Sequence, residues 1–169
     1  QQHRLAEAFE RDPQTGIGMP LIDVTAPPVF ESAGGGLVST ASDYARFLQL
    51  MLGRGTAPGR DGPNGLGTPV RLLGSATVDF MTADHLGALP RAGGILPEGY
   101  GFGLGVAVRT ATGNATRPGS AGHYSWSGMG GTFFFVDPAE DLFALLLTQA
   151  PGQLRYLCEL YPTLVYAAL

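Results

Sequence analysis

Gly119-Ser-Ala-Gly-His-Tyr-Ser-Trp-Ser-Gly-Met-Gly-Gly-Thr-Phe-Phe-Phe-Val-Asp-Pro-Ala-Glu-Asp-Leu-Phe-Ala-Leu-Leu-Leu-Thr-Gln149 is the stretch that decides the fold. It divides into three strand-length pieces, residues 122–126, 132–137 and 141–149. The Asp137-Pro138-Ala139-Glu140 segment between the last two is a turn, because proline presets φ and aspartate bonds its own backbone. Strands joined this closely form an antiparallel meander. Residues 142–147 are continuously apolar. That pattern is expected of a strand in the middle of a sheet with both faces covered.

Downstream, residues 152–168 read as a helix whose apolar stripe is Leu154, Leu157, Cys158, Tyr161, Leu164, Val165 and Ala168. Pro162 is expected to bend or delay it. Upstream, residues 101–109 alternate glycine with larger apolar residues. One face of that strand is nearly bare backbone, against which something bulky can pack. Further upstream lies the clearest helix. Thr40 caps it, Tyr44, Phe47, Leu48, Met51 and Leu52 share a face, and Gly53 stops it. A second helix is expected over residues 75–83 with Ser75 as cap and Val78 and Met81 inward. Residues 54–69, rich in glycine and proline, read as a mobile loop. Residues 2–10 have weak helical periodicity through Leu5, Ala8 and Phe9. An irregular, proline-rich segment follows through Pro13, Pro20, Pro27 and Pro28. Residues 30–38 read as a short strand or a tight bend with glycines at 34–36. The whole is one unit, with helices and loops over 1–98, strands over 99–149 and a helix over 152–168.

Composition bounds the function. The chain has 169 residues, 44% hydrophobic and 14% charged, with 26 glycines and 13 prolines. It is globular and rich in turns rather than a helical bundle. The net charge of -4 and pI near 5.2 argue against nucleic acid as a partner. No apolar run reaches the length of a membrane span. Cys158 stands alone, so no internal disulfide forms. All ten basic residues are arginine. Without lysine, no lysine base, Schiff base or P-loop lysine operates within the chain. The chain opens Gln1-Gln2-His3-Arg4, without methionine or a targeting pattern. It reads as if cut from something longer, and the expected location is the cytoplasm.

Familiar catalytic motifs are missing. There is no Gly-x-Ser-x-Gly elbow and no His-Glu-x-x-His. His3, His85 and His123 are too scattered for a metal site. Residues 101–105 lack the spacing of a dinucleotide loop. No metal or cofactor is called for. What remains is Trp126-Ser127-Gly128, a strand-borne triplet followed by Met129 and two more glycines.

Here the chain resembles the serine β-lactamase-like superfamily, with its class C β-lactamases and family VIII carboxylesterases. The resemblance runs through three blocks. They are Glu31-Ser-Ala-Gly-Gly-Gly-Leu-Val-Ser-Thr-Ala-Ser-Asp-Tyr-Ala-Arg-Phe47, Gly99-Tyr-Gly-Phe-Gly-Leu-Gly-Val-Ala-Val-Arg109 and Gly128-Met-Gly-Gly-Thr-Phe-Phe-Phe-Val-Asp-Pro138. The resemblance implies an α+β fold, an α/β sandwich around a five-stranded antiparallel sheet. The last three strands and the C-terminal helix are in this chain. The first two strands, the first helix and the helical subdomain with Ser-x-x-Lys and Tyr-x-Asn would precede residue 1. An N-terminal strand would pair beside the last one, so the N-terminal half of the same fold is the expected partner. Unpartnered, residues 141–149 would form an apolar edge prone to aggregation.

The resemblance also implies roles for the triplet. The third triplet of the family starts with lysine or histidine in β-lactamases and often with tryptophan in the esterase branch. The backbone N–H of Met129 would be one of two oxyanion donors, each worth about 3 kcal/mol in the transition state. Trp126 in place of a cation favours neutral esters over substrates that carry a carboxylate. Trp126, Ser127, Gly128 and Met129 are thus the candidate catalytic segment. Trp126, His123, Tyr124 and Gly130 are candidate substrate contacts. Structural readings stand beside these. Trp126 also fits simple packing at a strand end. Ser127 reads as a strand residue rather than a nucleophile, His123 as a solvated loop residue, and Tyr124 as a sheet aromatic. The expected function is the C-terminal part of an acyl-enzyme carboxylesterase, inactive alone. β-Lactamase or DD-peptidase activity and a catalytically inactive binding domain are the alternatives.

Overall fold

A computed structural model describes residues 2–7, 11, 16, 18, 23–35, 37–59, 67–89 and 96–169. Three helices, α1 (Ala41–Leu52), α2 (Ser75–Met81) and α3 (Leu154–Tyr166), surround two sheets among these residues. Strands β1 (Thr56–Gly59) and β2 (Gly67–Arg71) form a small antiparallel pair. Strands β3 (Tyr100–Phe102), β4 (Ala107–Arg109), β5 (Tyr124–Ser127), β6 (Phe133–Asp137) and β7 (Leu142–Leu146) follow. They form one sheet in sequential order, each pair antiparallel. The architecture is the α+β arrangement expected, an antiparallel sheet with a C-terminal helix against it.

The strands alternate strictly between two layers. Val108, Tyr124, Phe134 and Val136 face α1 and pack with Leu48, Met51 and Val78. Phe133, Phe135 and Ala144 face α3 and pack with Cys158, Tyr161, Val165 and Tyr166. This period of two makes β5 a divider whose neighbouring residues serve different cores.

Local chemistry explains the helix ends. Thr40 Oγ1 accepts from the Asp43 N–H at 3.2 Å, which starts α1. Gly53 closes α1 with φ −72°, and the chain reverses one step later at Arg54 (φ 48°) and Gly55 (φ 91°). Pro162 lies inside α3 and does not end it. It lacks the N–H that would reach the Cys158 carbonyl, and the Arg117 guanidinium donates to that carbonyl instead.

Several expectations need correction. The sheet draws five strands from this chain, not three, because residues 101–109 fold back as the β3–β4 hairpin. The continuous apolar strand β7 is covered on both faces, by Phe143 and Leu145 toward α1 and Leu142 and Leu146 toward α3. In this chain, however, it stands at the sheet edge rather than the centre. Residues 54–69 hold β1 and the start of β2 rather than a loop, while 60–66 lie outside the described residues. Ser75 is the first residue of α2, with Gly74 as a cap that makes no side-chain bond. The N-terminal helix reduces to a 3₁₀ turn at Gln2–Arg4, and 8–10, Pro13 and Pro20 lie outside the described residues. Residues 33–35 form a turn, with Gly36 outside the described residues. Leu164 and Ala168 face solvent rather than the α3 stripe, and Tyr166 packs inward in their place. Among the described residues no helix is long and apolar enough to cross a membrane.

Candidate active site

The β5–β6 connection is a tight glycine turn. Gly128 N–H donates to Thr132 C=O at 2.9 Å and Gly131 N–H to Gly128 C=O at 3.0 Å. A Cβ on Gly128 would lie 2.5 Å from Thr132 Oγ1. Gly131 has φ +88°, and a Cβ there would lie 2.6 Å from Thr148 Oγ1. The exit of β7 braces the turn, since Ala150 N–H donates to Gly130 C=O at 2.8 Å. Gln149 lies against Gly130, its Oε1 buried and without a partner among the described residues. Met129 sits at the apex with its side chain 71% exposed. Its N–H has no acceptor among the described residues.

Two residues before the turn, Trp126 faces α1. It walls an apolar cleft of about 170 Å³ with Tyr44, Phe47 and Met51 of α1, Met81 of α2, Val106 of the β3–β4 connection and Phe134 of β6. Phe102 meets the indole edge to face, with ring centres 5.2 Å apart. No charged side chain among the described residues lines the cleft. Thr82 is its polar rim residue, and the Thr82 hydroxyl already donates to Val78 C=O at 3.0 Å.

The other candidates are elsewhere. Ser127 faces α3, where its hydroxyl meets the Cys158 thiol. Burial raises that thiol's pKa, more than Arg117 and Ser127 lower it. Tyr124 shares the Trp126 face but is buried in the core at 2% exposure, with its hydroxyl unpartnered and its pKa raised by burial. His123 is neither solvated nor at the cleft. It is 2% exposed, beneath α3, and stacks on Phe135 at 5.0 Å.

His123 belongs to a buried polar network that the sequence reading missed. Tyr166 Oη donates to Asp137 Oδ2 at 2.5 Å, and Ser120 N–H donates to the same oxygen at 3.0 Å. With its proton committed to Asp137, Tyr166 Oη accepts from His123 Nδ1 at 3.0 Å. The imidazole is therefore the Nδ1–H tautomer. Burial pushes its pKa down to about 4, against the pull of Asp137 and with help from Arg109 and Arg117. Burial would raise the Asp137 carboxyl, but hydrogen bonds from Tyr166, Ser120 and Ala139 outweigh it and hold the pKa below its ordinary value. Arg109, 3% exposed, donates to the carbonyls of Arg117 at 2.7 Å and Thr112 at 2.6 Å. Gly119 (φ +139°) lies so close that a Cβ would come 2.9 Å from Arg109 and 3.1 Å from His123 Nδ1. Asp137 looks like a plain turn residue in sequence.

An antiparallel sheet carrying a glycine turn beside a Trp-lined cleft agrees with a comparison of sequences, in which the Beta-lactamase profile matches residues 1–168. The chain belongs to the Beta-lactamase family. Two curated relatives from Mycobacterium tuberculosis are each 36% identical over 160 residues. They are Uncharacterized protein MT1414 of strain CDC 1551 / Oshkosh and Protein Rv1367c of strain H37Rv. The match covers 88% of this chain but 37% of each relative, so the chain spans little more than a third of their length. Two solved structures share the fold of this chain. EstCE1, a hydrolase with promiscuous acyltransferase activity, superposes with a TM-score of 0.56 at 21% identity over 89% of this chain and 36% of its own. Unliganded simvastatin synthase (LovD) from Aspergillus terreus gives 0.52 at 22% identity, over 79% of this chain and 34% of its own.

Proposed function

We propose that this chain supplies the oxyanion strand and one wall of the acyl pocket of a carboxylesterase that works through an acyl-enzyme on small neutral esters. The observation that carries the reading is the junction of two features. An apolar cleft headed by Trp126, with no charged side chain among the described residues, lies two residues from a glycine turn whose Met129 N–H has no acceptor among them. A cation in place of Trp126 would bind a substrate carboxylate; an indole binds apolar groups instead. EstCE1, a hydrolase with promiscuous acyltransferase activity, shares this fold and is in keeping with the reading.

In this reading a serine hydroxyl outside the chain attacks the ester carbonyl. The Met129 N–H and a second donor, from the nucleophile's segment, hold the oxyanion. The alcohol leaves with the proton, and water then releases the acid. The nucleophile and its base come from the N-terminal half of the same fold. Strand β7 supports that partner, since both its faces are covered while its outer edge has no strand neighbour among the described residues.

The test uses the full-length protein, a chromogenic short-chain ester and a chromogenic cephalosporin. Ester turnover with covalent labelling by a serine-directed phosphonate is expected. Met129→Pro, which removes the N–H, should lower kcat about 100-fold or more. Trp126→Lys should shift preference toward carboxylate-bearing substrates. Absence of both turnover and labelling rejects the reading in favour of a binding domain. Cephalosporin opening on a par with ester turnover replaces it with β-lactamase activity. Residues 1–169 behaving as a cooperative monomer without apolar-dye binding would remove the argument for the N-terminal partner.

A further inference from the structure

Asp84 follows α2, and its carboxylate ties the segment after α2 to strand β3 beside the Trp126 cleft. Asp84 Oδ1 accepts from Leu86 N–H at 2.9 Å and from Phe102 N–H at 3.1 Å. The next bonds extend this contact in both directions. His85 N–H donates to Phe102 C=O at 2.9 Å, and Leu104 N–H donates to Met81 C=O at 2.8 Å. Residues 81–85 thus run along the outer side of β3 and cover that edge.

Glycines make the contact possible. A Cβ on Gly101 would lie 2.1 Å from Asp84 Cγ, and one on Gly103 would lie 2.3 Å from the Met81 carbonyl oxygen. The group that packs on Gly101 is therefore the Asp84 carboxylate, while Gly103 meets the Met81 carbonyl. The carboxylate grips the backbone of Phe102, and the Phe102 ring in turn abuts the Trp126 indole. A carboxylate accepting from a backbone N–H makes a stronger bond than a neutral acceptor does. Losing it leaves a half-buried N–H unpaired beside the cleft.

We propose that Asp84 is a positioning residue that sets the Trp126 indole in the cleft, acting through Phe102. The proposal concerns the cleft on which the esterase reading rests, and its consequence for turnover rests on that reading; its consequence for Trp126 does not.

The experiment compares the full-length protein with Asp84→Ala, Asp84→Asn and Gly101→Ala. Trp126 emission is isolated by difference from Trp126→Phe and challenged with acrylamide, alongside ester kinetics and far-UV circular dichroism. Asp84→Ala and Gly101→Ala should fold, leave Trp126 more open to acrylamide, and lower kcat/KM about 10- to 100-fold. Asp84→Asn keeps an acceptor oxygen and should restore both readouts. Wild-type quenching in a folded Asp84→Ala or Gly101→Ala variant overturns the proposal. So does global unfolding of both, because the role would then be one of stability. If the wild type turns over no ester, the esterase reading fails and the acrylamide readout still decides the role of Asp84.

Discussion

The two faces of the central sheet are built from alternate residues of the same strands and work by different physics. The α1 face is apolar and incomplete. Leu48, Val78 and Val136 are closed off from solvent, but beside them the Trp126 cleft stays open. The α3 face is sealed around ionisable groups, His123, Asp137, Arg109 and Arg117, joined by hydrogen bonds. Dispersion and burial hold the first, with no charged side chain lining its cleft among the described residues. A satisfied polar network holds the second, where each lost partner leaves another group stranded. In this chain the candidate site lies on the first face and the structural polar network on the second. A buried His–Tyr–Asp arrangement is therefore not by itself a catalytic one; access decides.

The contrast is breakable by mutation and by pH. The largest effect should come from Asp137→Ala, which leaves Tyr166, Ser120 and Ala139 donors without an acceptor. A loss of about 4 kcal/mol in a denaturant titration is expected, and a loss under about 1 kcal/mol would mean the network is not what holds the α3 face. Leu48→Ala, in the closed part of the α1 face, should cost about 3 kcal/mol through its cavity. Its stability should keep the wild-type dependence on pH; a changed pH profile would show that the faces are coupled.

The pH profile itself is next in size. His123 has a folded pKa of about 4 against an ordinary value of 6.5, so the unfolded chain binds more protons between those values. Stability should be intact above pH 6.5 and fall as pH drops toward 4, with a slope of up to about 1.4 kcal/mol per pH unit. Asp137, held below 3.8, extends the loss to lower pH. His123→Phe should flatten the upper part of this profile; an unchanged slope assigns it to other groups. The smallest effect should be Thr40→Ala, about 1 kcal/mol from the lost cap of α1, visible in thermal melts and silent in the pH profile.

Much of this was legible in the residues. The helix starting at Thr40 and the meander over residues 122–149 follow from capping chemistry and period-two alternation, which act within a few residues. The Trp126-Ser127-Gly128 triplet could be found because it is contiguous. The β3–β4 hairpin was less visible, since Gly103-Leu104-Gly105-Val106 carries no distinctive turn pair and reads as more strand. The small β1–β2 pair was hidden by glycines and prolines that usually mark loops. His123 was misjudged because its neighbours Gly119 and Gly122 suggest a loop, and nothing nearby reveals that Tyr166, 43 residues away, covers it.

The sequence alone determined the strand and helix periods, the absence of lysine chemistry and the resemblance carried by the triplet, because each is a property of neighbouring residues. The tertiary structure alone decided that Asp84 lies on Gly101, that Arg117 answers the carbonyl freed by Pro162, and that His123 and Trp126, three residues apart, look into opposite layers. Those outcomes depend on which distant segments meet across the sheet, and partners brought together by packing leave no local pattern to read.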